Sequence, residues 1–152
     1  MTITAKRLFR LLGVLILVGC AAGPEFAAIQ SSIPDVPPEQ GRVWFYRAAS
    51  PFGAALQPPI EMNGEIVGQS VPGGFFYRDV APGDYEVATE TEVERRLTFN
   101  IAAGEELYVK TWPGFGILVG RVYPELVDPA TGRAEITKLS YTGTLLQPPT
   151  DE

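Results

Sequence analysis

Residues 60–87, IEMNGEIVGQSVPGGFFYRDVAPGDYEV, decide the fold of this chain because they place short apolar runs between strong turn signals. Asn63-Gly64 lies between two short strands, and a type I′ turn favours this pair because both central residues need a positive φ. The aromatic run FFYRDV follows, and Pro82-Gly83 makes a turn before a long alternating segment. This stretch therefore predicts a succession of short antiparallel strands.

The same strand pattern continues on both sides of this stretch. GRVWFYRA, from Gly41, predicts a strand with apolar residues on both faces, and EELYVKTW and ILVGRVYPEL supply two more strands. Seven or eight short strands at this spacing predict an all-β or mainly β fold, an antiparallel β-sandwich over residues 41–140. Asp128-Pro129 resembles a helix N-cap followed by proline, so residues 128–139 form either a short C-terminal helix or a hairpin through Thr131-Gly132. Residues 141–152 are expected to be a flexible tail.

The centre of this pattern resembles a family of bacterial envelope proteins, the domain of unknown function 2846. The shared features are an aliphatic strand, an Asn-Gly hairpin, a Val-Gly, an aromatic strand and a Pro-Gly turn, and RVWFYR and GEELYVK fit upstream and downstream. The resemblance covers residues 41–139. It implies a transthyretin-like or PEGA-like β-sandwich in a small secreted or lipid-anchored protein that works by contact, and it carries over no catalytic residues.

The amino-terminal segment has the features of a lipoprotein signal. Three basic residues among the first ten precede an apolar run over residues 11–18, which is shorter than the about 20 residues of a membrane-spanning helix. LVGC, ending at Cys20, resembles the lipobox of bacterial lipoproteins. The resemblance implies that residues 1–19 are a signal peptide and that Cys20 is the first mature residue and the lipid attachment site, carrying diacylglycerol and a fatty acid such as palmitate. The alternative is a free cysteine at the end of an ordinary signal or anchor helix.

Residues 20–40 are expected to join the lipid to the domain as an extended, proline-rich tether. The segment has neither a helical nor an alternating period and contains four prolines. At about 3.1 Å per residue it would hold the domain roughly 60 Å from the bilayer, or less if it coils. In similar lipoproteins an Asp after the Cys retains the protein in the inner membrane. Ala21 therefore implies the outer membrane, with the domain facing the periplasm.

Charge and composition exclude several kinds of partner. The whole chain has a formal charge of −6, and removal of residues 1–19, which hold three basic and no acidic residues, makes it −9. So acidic a surface repels nucleic acid and anionic lipid head groups, and we therefore expect membrane contact from the N-terminal lipid alone. After Cys20 no thiol remains to form an intramolecular disulfide.

The chain offers little catalytic chemistry, and we predict no catalytic, cofactor-binding or metal-binding residue. It contains no His, and no serine lies in a Gly-x-Ser-x-Gly or Ser-x-x-Lys arrangement. The alternative is a pair of carboxylates for glycoside hydrolysis, formed by Asp79 and Asp84 on either side of the Pro82-Gly83 turn.

Acidic residues also line one parity of the long alternating segment. Alternate residues of a strand lie in a row, whereas calcium ligands converge on a point. We therefore predict a solvated sheet face here, with a calcium site as the alternative. The residues concerned are Glu86, Glu90, Glu92 and Glu94.

Aromatic residues leave two interpretations of the sandwich surface open. Contiguous rings in a strand point to both faces, so at least one of them leaves the inter-sheet core. Either the sandwich and its terminal helix bury nearly all of the rings, or some form an exposed patch for a protein or a glycan. The rings concerned are Trp44, Tyr46, Phe75, Phe76, Tyr77, Trp112 and Phe115.

The sequence as a whole predicts a lipid-anchored cell-envelope protein whose β-sandwich is a non-enzymatic binding or structural module. Its expected partners are the membrane, through the lipid on Cys20, and an envelope protein or a glycan. A carboxylate-based envelope hydrolase and an accessory subunit of an envelope complex are the alternatives.

Overall fold

The fold is mainly β, as predicted, in the computed structural model, which describes residues 21–143. The strands in this range are β1 Gly41–Tyr46, β2 Pro59–Met62, β3 Glu65–Gln69, β4 Gly74–Val80, β5 Gly83–Glu90, β6 Glu94–Ile101, β7 Glu106–Gly114, β8 Arg121–Val127 and β9 Ser140–Tyr141. The helices are α1 Phe26–Ile29, continued by a 3-10 turn Gln30–Ser32, and α2 Pro129–Ile136. Residues 1–20, which include the expected signal peptide and Cys20, and residues 144–152 lie outside the described part of the chain.

The described strands form two sheets, with orders β8-β7-β1-β4-β9 and β3-β2-β5-β6. Most neighbours are antiparallel, which confirms the predicted architecture. Two details differ from the prediction of seven or eight antiparallel strands. The described residues contain nine strands, and the pairs β1–β7 and β4–β9 are parallel. The chain crosses to the second sheet for β5 and β6 before it returns as β7 beside β1, and β9 reaches β4 only after β8 and α2.

Alternate side chains of each inner strand point into the core between the two sheets. The rings of Phe45 on β1 and Phe76 on β4 stack with their centroids 4.9 Å apart. Gly68 on β3 faces Phe76 so closely that an added Cβ would lie 2.3 Å from its ring. The aliphatic residues of this core are Val43, Ile60, Val87, Ile101 and Val109, all fully buried.

The outer face of the five-stranded sheet is also covered. Trp44 stacks on Tyr108, and Phe75 contacts both Phe26 of α1 and Tyr141 of β9. Helix α2 packs over Tyr108 through Gly132, where a Cβ would lie 2.4 Å from the tyrosine ring. A sheet covered on both faces explains why all six residues of β1 are buried.

The amino-terminal segment differs from the expected extended tether. Residues 26–32 form helical turns, Ile29 is buried, and Phe26 and Ile33 pack against the core. Arg42 fixes the following residues by donating from Nη1 to the carbonyl of Pro34 at 2.8 Å. The prediction was wrong for this part of residues 20–40 because a one-turn helix depends on tertiary packing, which leaves no periodic signal in so short a segment.

Two local predictions are confirmed and one is corrected. Asn63 and Gly64 have φ values of 51° and 81°, as a type I′ hairpin between β2 and β3 requires. Residues 128–139 contain the helix rather than the hairpin, because the Asp128 carboxylate accepts the Thr131 amide at 3.0 Å and caps α2. Tyr141, expected to begin a flexible tail, is buried in β9.

Candidate functional site

One end of the sandwich, here called the apical end, gathers the loops that follow β1 and β7 and precede β4. These loops meet because β1 and β7 run parallel to each other and antiparallel to β4. Loop 51–56 lies in the connection after β1, and loop 114–120, which includes Gly114 at the end of β7, joins β7 to β8. The last residue of β1 pairs with Lys110, whereas β7 continues to Gly114, so the β7–β8 hairpin projects beyond its neighbour in the sheet.

Large apolar side chains are exposed on the projecting loop. Phe115, Ile117 and Leu118 are 87 %, 84 % and 88 % exposed, and Val119 is exposed beside them. Phe52 of loop 51–56 is also exposed, and its ring centroid lies 5.3 Å from that of Phe115. Monomeric soluble proteins rarely expose contiguous apolar patches of this kind outside binding surfaces. These five residues are the apical patch.

A buried cation holds loop 51–56 from below. Arg47 is 1 % exposed, and its guanidinium donates to the carbonyls of Leu56 and Gly53, the latter at 2.7 Å. It also donates to the Ser70 carbonyl at 3.3 Å. Burial lowers the pKa of Arg47. The carbonyls of the loop therefore turn inward to the guanidinium, and the side chain of Phe52 is left outside.

A carboxylate holds loop 114–120 in the complementary way. Glu92 accepts the amides of Ile117 and Leu118 at 2.8 Å each and that of Val119 at 3.3 Å. Arg121 donates to the same carboxylate at 3.0 Å. The amides of Leu118 and Ile117, in that order, are the main cause of a Glu92 pKa lowered to about 2. Because the amides point toward Glu92, the apolar side chains of the loop point away from the protein.

The apical end lacks charged side chains except at its margin. Residues 48–60, 69–77 and 111–120 contain no Asp, Glu, Lys or Arg, although the chain as a whole is acidic. Of the charged residues on the adjoining β5–β6 hairpin, Glu90 and Glu94 are exposed, and Glu94 pairs with Arg96. The apical patch is therefore an uncharged surface whose margin carries acidic residues and the arginines Arg96 and Arg121 that pair with them.

The chain reaches the described domain at this same end. The Ala21 amide donates to the carbonyl of Pro72, in the loop before β4, at 3.1 Å. Three residues later the Pro24 carbonyl accepts the Tyr141 amide at 2.7 Å. The chain is thus already bound to the apical end at Ala21, the residue after Cys20.

Asp79 and Asp84, the carboxylates of the alternative hydrolase interpretation, bind different partners. Asp79 makes a bidentate pair with buried Arg42, at 2.6 and 2.8 Å. Asp84 accepts a hydrogen bond from Asn100 at 2.9 Å on the other sheet. Each carboxylate therefore has a structural partner of its own.

The acidic residues of the alternating segment do not all lie on the one solvated sheet face that was predicted. Glu86 and Glu94 both pair with Arg96, whereas Glu92 lies in the β5–β6 turn and binds loop 114–120. Within residues 21–143, no three His, Cys, Asp or Glu side chains converge as a metal site would require. The same range contains no helix long and apolar enough to cross a membrane.

The structure buries most of the aromatic rings and exposes two of them, and whether the exposed rings bind a protein or a glycan stays a prediction. Trp44, Tyr46, Phe75 and Phe76 are buried and Tyr77 is half-buried. Trp112 and Phe115 are exposed at the projecting hairpin. Sequence reasoning assigned ILVG to the start of a strand, but β8 begins only at Arg121 and residues 117–120 belong to the loop. The missed signal was the glycine spacing at 114, 116 and 120, which brackets an apolar run too short for a strand of its own.

A family model described as "Protein of unknown function (DUF2846)" matches residues 37–117, just over half of the chain. The chain belongs to this family. The DUF2846 match begins shortly before β1 and ends inside loop 114–120, so it includes both anchoring residues, Arg47 and Glu92. An uncharacterized protein of Haemophilus influenzae is 27% identical over 143 residues, which cover 89% of this chain and 85% of that relative. The resemblance predicted from the strand and turn motifs is thereby confirmed. Neither description names an activity.

Proposed function

We propose that this DUF2846 protein is a lipid-anchored protein of the cell envelope whose β-sandwich works by contact, as a binding or structural module without catalysis. The observation that carries the proposal is the hydrogen bond between Ala21 and Pro72, which ties the chain to the apical end one residue after Cys20. A lipid attached to Cys20 would therefore extend from the chain next to the uncharged apical end. The lipobox-like LVGC supplies the acylation signal.

The other surfaces support a role in contact rather than chemistry. Asp79 and Asp84, the carboxylates considered for hydrolysis, are each engaged by a structural partner. With the apical end toward the membrane, the opposite end and the polar face of the four-stranded sheet remain available to an envelope protein or a glycan. Ala21 after the cysteine favours the outer membrane, with the domain in the periplasm.

Mass spectrometry of the native protein tests the lipid attachment. The mature amino-terminal peptide is expected to begin at Cys20 and to carry diacylglycerol and a fatty acid. Cys20→Ala should abolish incorporation of labelled fatty acid because alanine has no nucleophile to accept the lipid. Ala22→Ser, which leaves the thiol in place, is the matched control. A native protein without fatty acid, or one that begins at another residue, would refute the proposal.

A further inference from the structure

We propose that the apical patch is a second membrane contact, a lipid-inserting tip that enters the same leaflet as the acyl chains on Cys20. The choice of membrane rests on the proposed lipid attachment, but the tip has physical support of its own. The sequence predicted that the N-terminal lipid is the sole membrane attachment, and the tip would be a second, apolar one.

The side chains of the tip suit a bilayer interior. Phe115, Ile117 and Leu118 project from a hairpin that extends beyond the neighbouring strand, and Phe115 and Leu118 also line a shallow cleft between this loop and loop 51–56. Phe52 broadens this apolar surface at its base. Apolar side chains that are this exposed can enter lipid without desolvating a polar group of their own.

The backbone of the tip is prepared for a medium without water. Lipid offers no hydrogen bonds, so irregular backbone can enter it only where its polar groups already have partners. Glu92 accepts the three consecutive amides of residues 117–119, and the Gly120 carbonyl accepts the hydroxyl of Thr91 at 2.8 Å. In loop 51–56, Arg47 satisfies two carbonyls. These bonds reduce the desolvation that insertion would otherwise require.

The charge distribution fits a neutral membrane surface and shallow insertion. No charged residue lies on either apical loop, and the exposed residues Glu90 and Glu94 would remain at the head groups. The apical loops also lack the Lys and Arg residues that draw proteins to anionic lipid. Insertion should therefore depend little on salt or on the anionic lipid content.

The position of the chain terminus selects lipid over a protein as the occupant. Ala21 is held at the apical end by Pro72, and Cys20 precedes it directly. Acyl chains on Cys20 would bring the tip to the bilayer surface at a high effective concentration, so even a weak apolar contact would be occupied. The tip in turn would fix the orientation of the domain on the membrane.

Tryptophan quenching in liposomes tests the tip in the acylated mature protein. Leu118→Trp is made in a Trp112→Phe background, because Trp112 is itself exposed near the loop. In liposomes of zwitterionic lipid brominated on the acyl chains, the introduced tryptophan should shift its emission to the blue and lose most of its intensity. Ala103→Trp in the same background, in the exposed turn at the opposite end, is the matched control, and its emission wavelength and intensity should not change.

The outcomes separate the tip from the lipid anchor. The mass of the protein reports acylation of Cys20 independently of the fluorescence. A mature protein without the acyl chains would refute the proposed function, whereas the tip is tested by the quenching alone. An acylated protein whose tryptophan at 118 is quenched no more than that at 103 would overturn the tip and favour a protein-docking loop. If Leu118→Trp fails to fold by circular dichroism, Phe115→Trp provides the same measurement with a smaller change.

Discussion

Arg47 and Glu92 are the residues on which the shape of the apical end depends. Each is an ionisable side chain that binds loop backbone: the cation binds carbonyls and the anion binds amides. Buried charges are costly unless hydrogen bonds compensate them. Their use here, at two adjacent loops, keeps polar backbone turned inward and apolar side chains turned outward.

Glu92→Ala is expected to release loop 114–120 without unfolding the sandwich, because the hydrogen bonds that the carboxylate accepts within residues 21–143 come from the loop amides and Arg121. Amide hydrogen exchange of Ile117, Leu118 and Val119 should accelerate, while the exchange of core strand amides stays unchanged. Glu90→Ala, two residues earlier at the exposed end of β5, is the control and should change neither the exchange of the loop amides nor that of the core. Unaltered exchange of the three loop amides in Glu92→Ala would show that other contacts hold the loop.

Acid should release the same loop at an unusually low pH. The pKa of Glu92 is lowered to about 2 from an ordinary value of 4.5, chiefly by the amides of Leu118 and Ile117. A depressed pKa means that the stabilisation is complete above the ordinary value and is lost as the pH falls through the lowered one. The amide chemical shifts of Ile117 and Leu118 should therefore titrate near pH 2. A midpoint above pH 4 would contradict the hydrogen bonds described for Glu92.

Asp79→Ala is expected to destabilise the protein by about 3 kcal/mol, because it leaves the guanidinium of Arg42 buried without its carboxylate. Asp84→Ala should change the free energy of unfolding by less than about 0.5 kcal/mol, since its hydrogen bond to Asn100 is exposed. Urea denaturation measures both values. Equal effects of the two substitutions would refute the structural role assigned to the Arg42–Asp79 pair.

Among the elements, the β2–β3 hairpin provides the sharpest test of local geometry. Asn63→Val is expected to cost about 2 kcal/mol, because a β-branched residue is strained at positive φ and the hydrogen bond from the Glu86 amide to Asn63 Oδ1 is lost. Asn63→Asp keeps an acceptor and tolerates the left-handed region, so its stability should stay close to that of the parent. Equal stability of the valine and aspartate variants by urea denaturation would contradict the type I′ turn.

The elements differ in how far the sequence predicts them. The Asn63-Gly64 turn and the Asp128 cap of α2 could be predicted because a few adjacent residues determine their geometry. The packing of Phe26 and Ile29 could not, since it depends on an aromatic sheet face assembled from distant strands. In loop 114–120 the glycine spacing could have indicated a loop, but not its conformation, because that depends on Glu92, more than twenty residues away.

The whole molecule is asymmetric from end to end. The apical end combines the apolar patch, the uncharged loops and the point where the chain from Cys20 enters the domain. An acidic protein with one uncharged end has an electrostatic reason to place that end, and no other, against a lipid surface. The fold of the amino-terminal segment onto the sheet removes the spacer that an extended chain would have provided.

Neutron reflectometry of the acylated mature protein on a supported bilayer measures the distance between the domain and the membrane. We expect the protein layer to begin at the lipid head groups and to extend about 30 Å, the length of the nine residues of β7 at about 3.3 Å each. Some protein density should enter the outer part of the leaflet. A water layer between head groups and protein, approaching the roughly 60 Å of an extended tether over residues 20–40, would contradict direct contact of the apical end with the membrane.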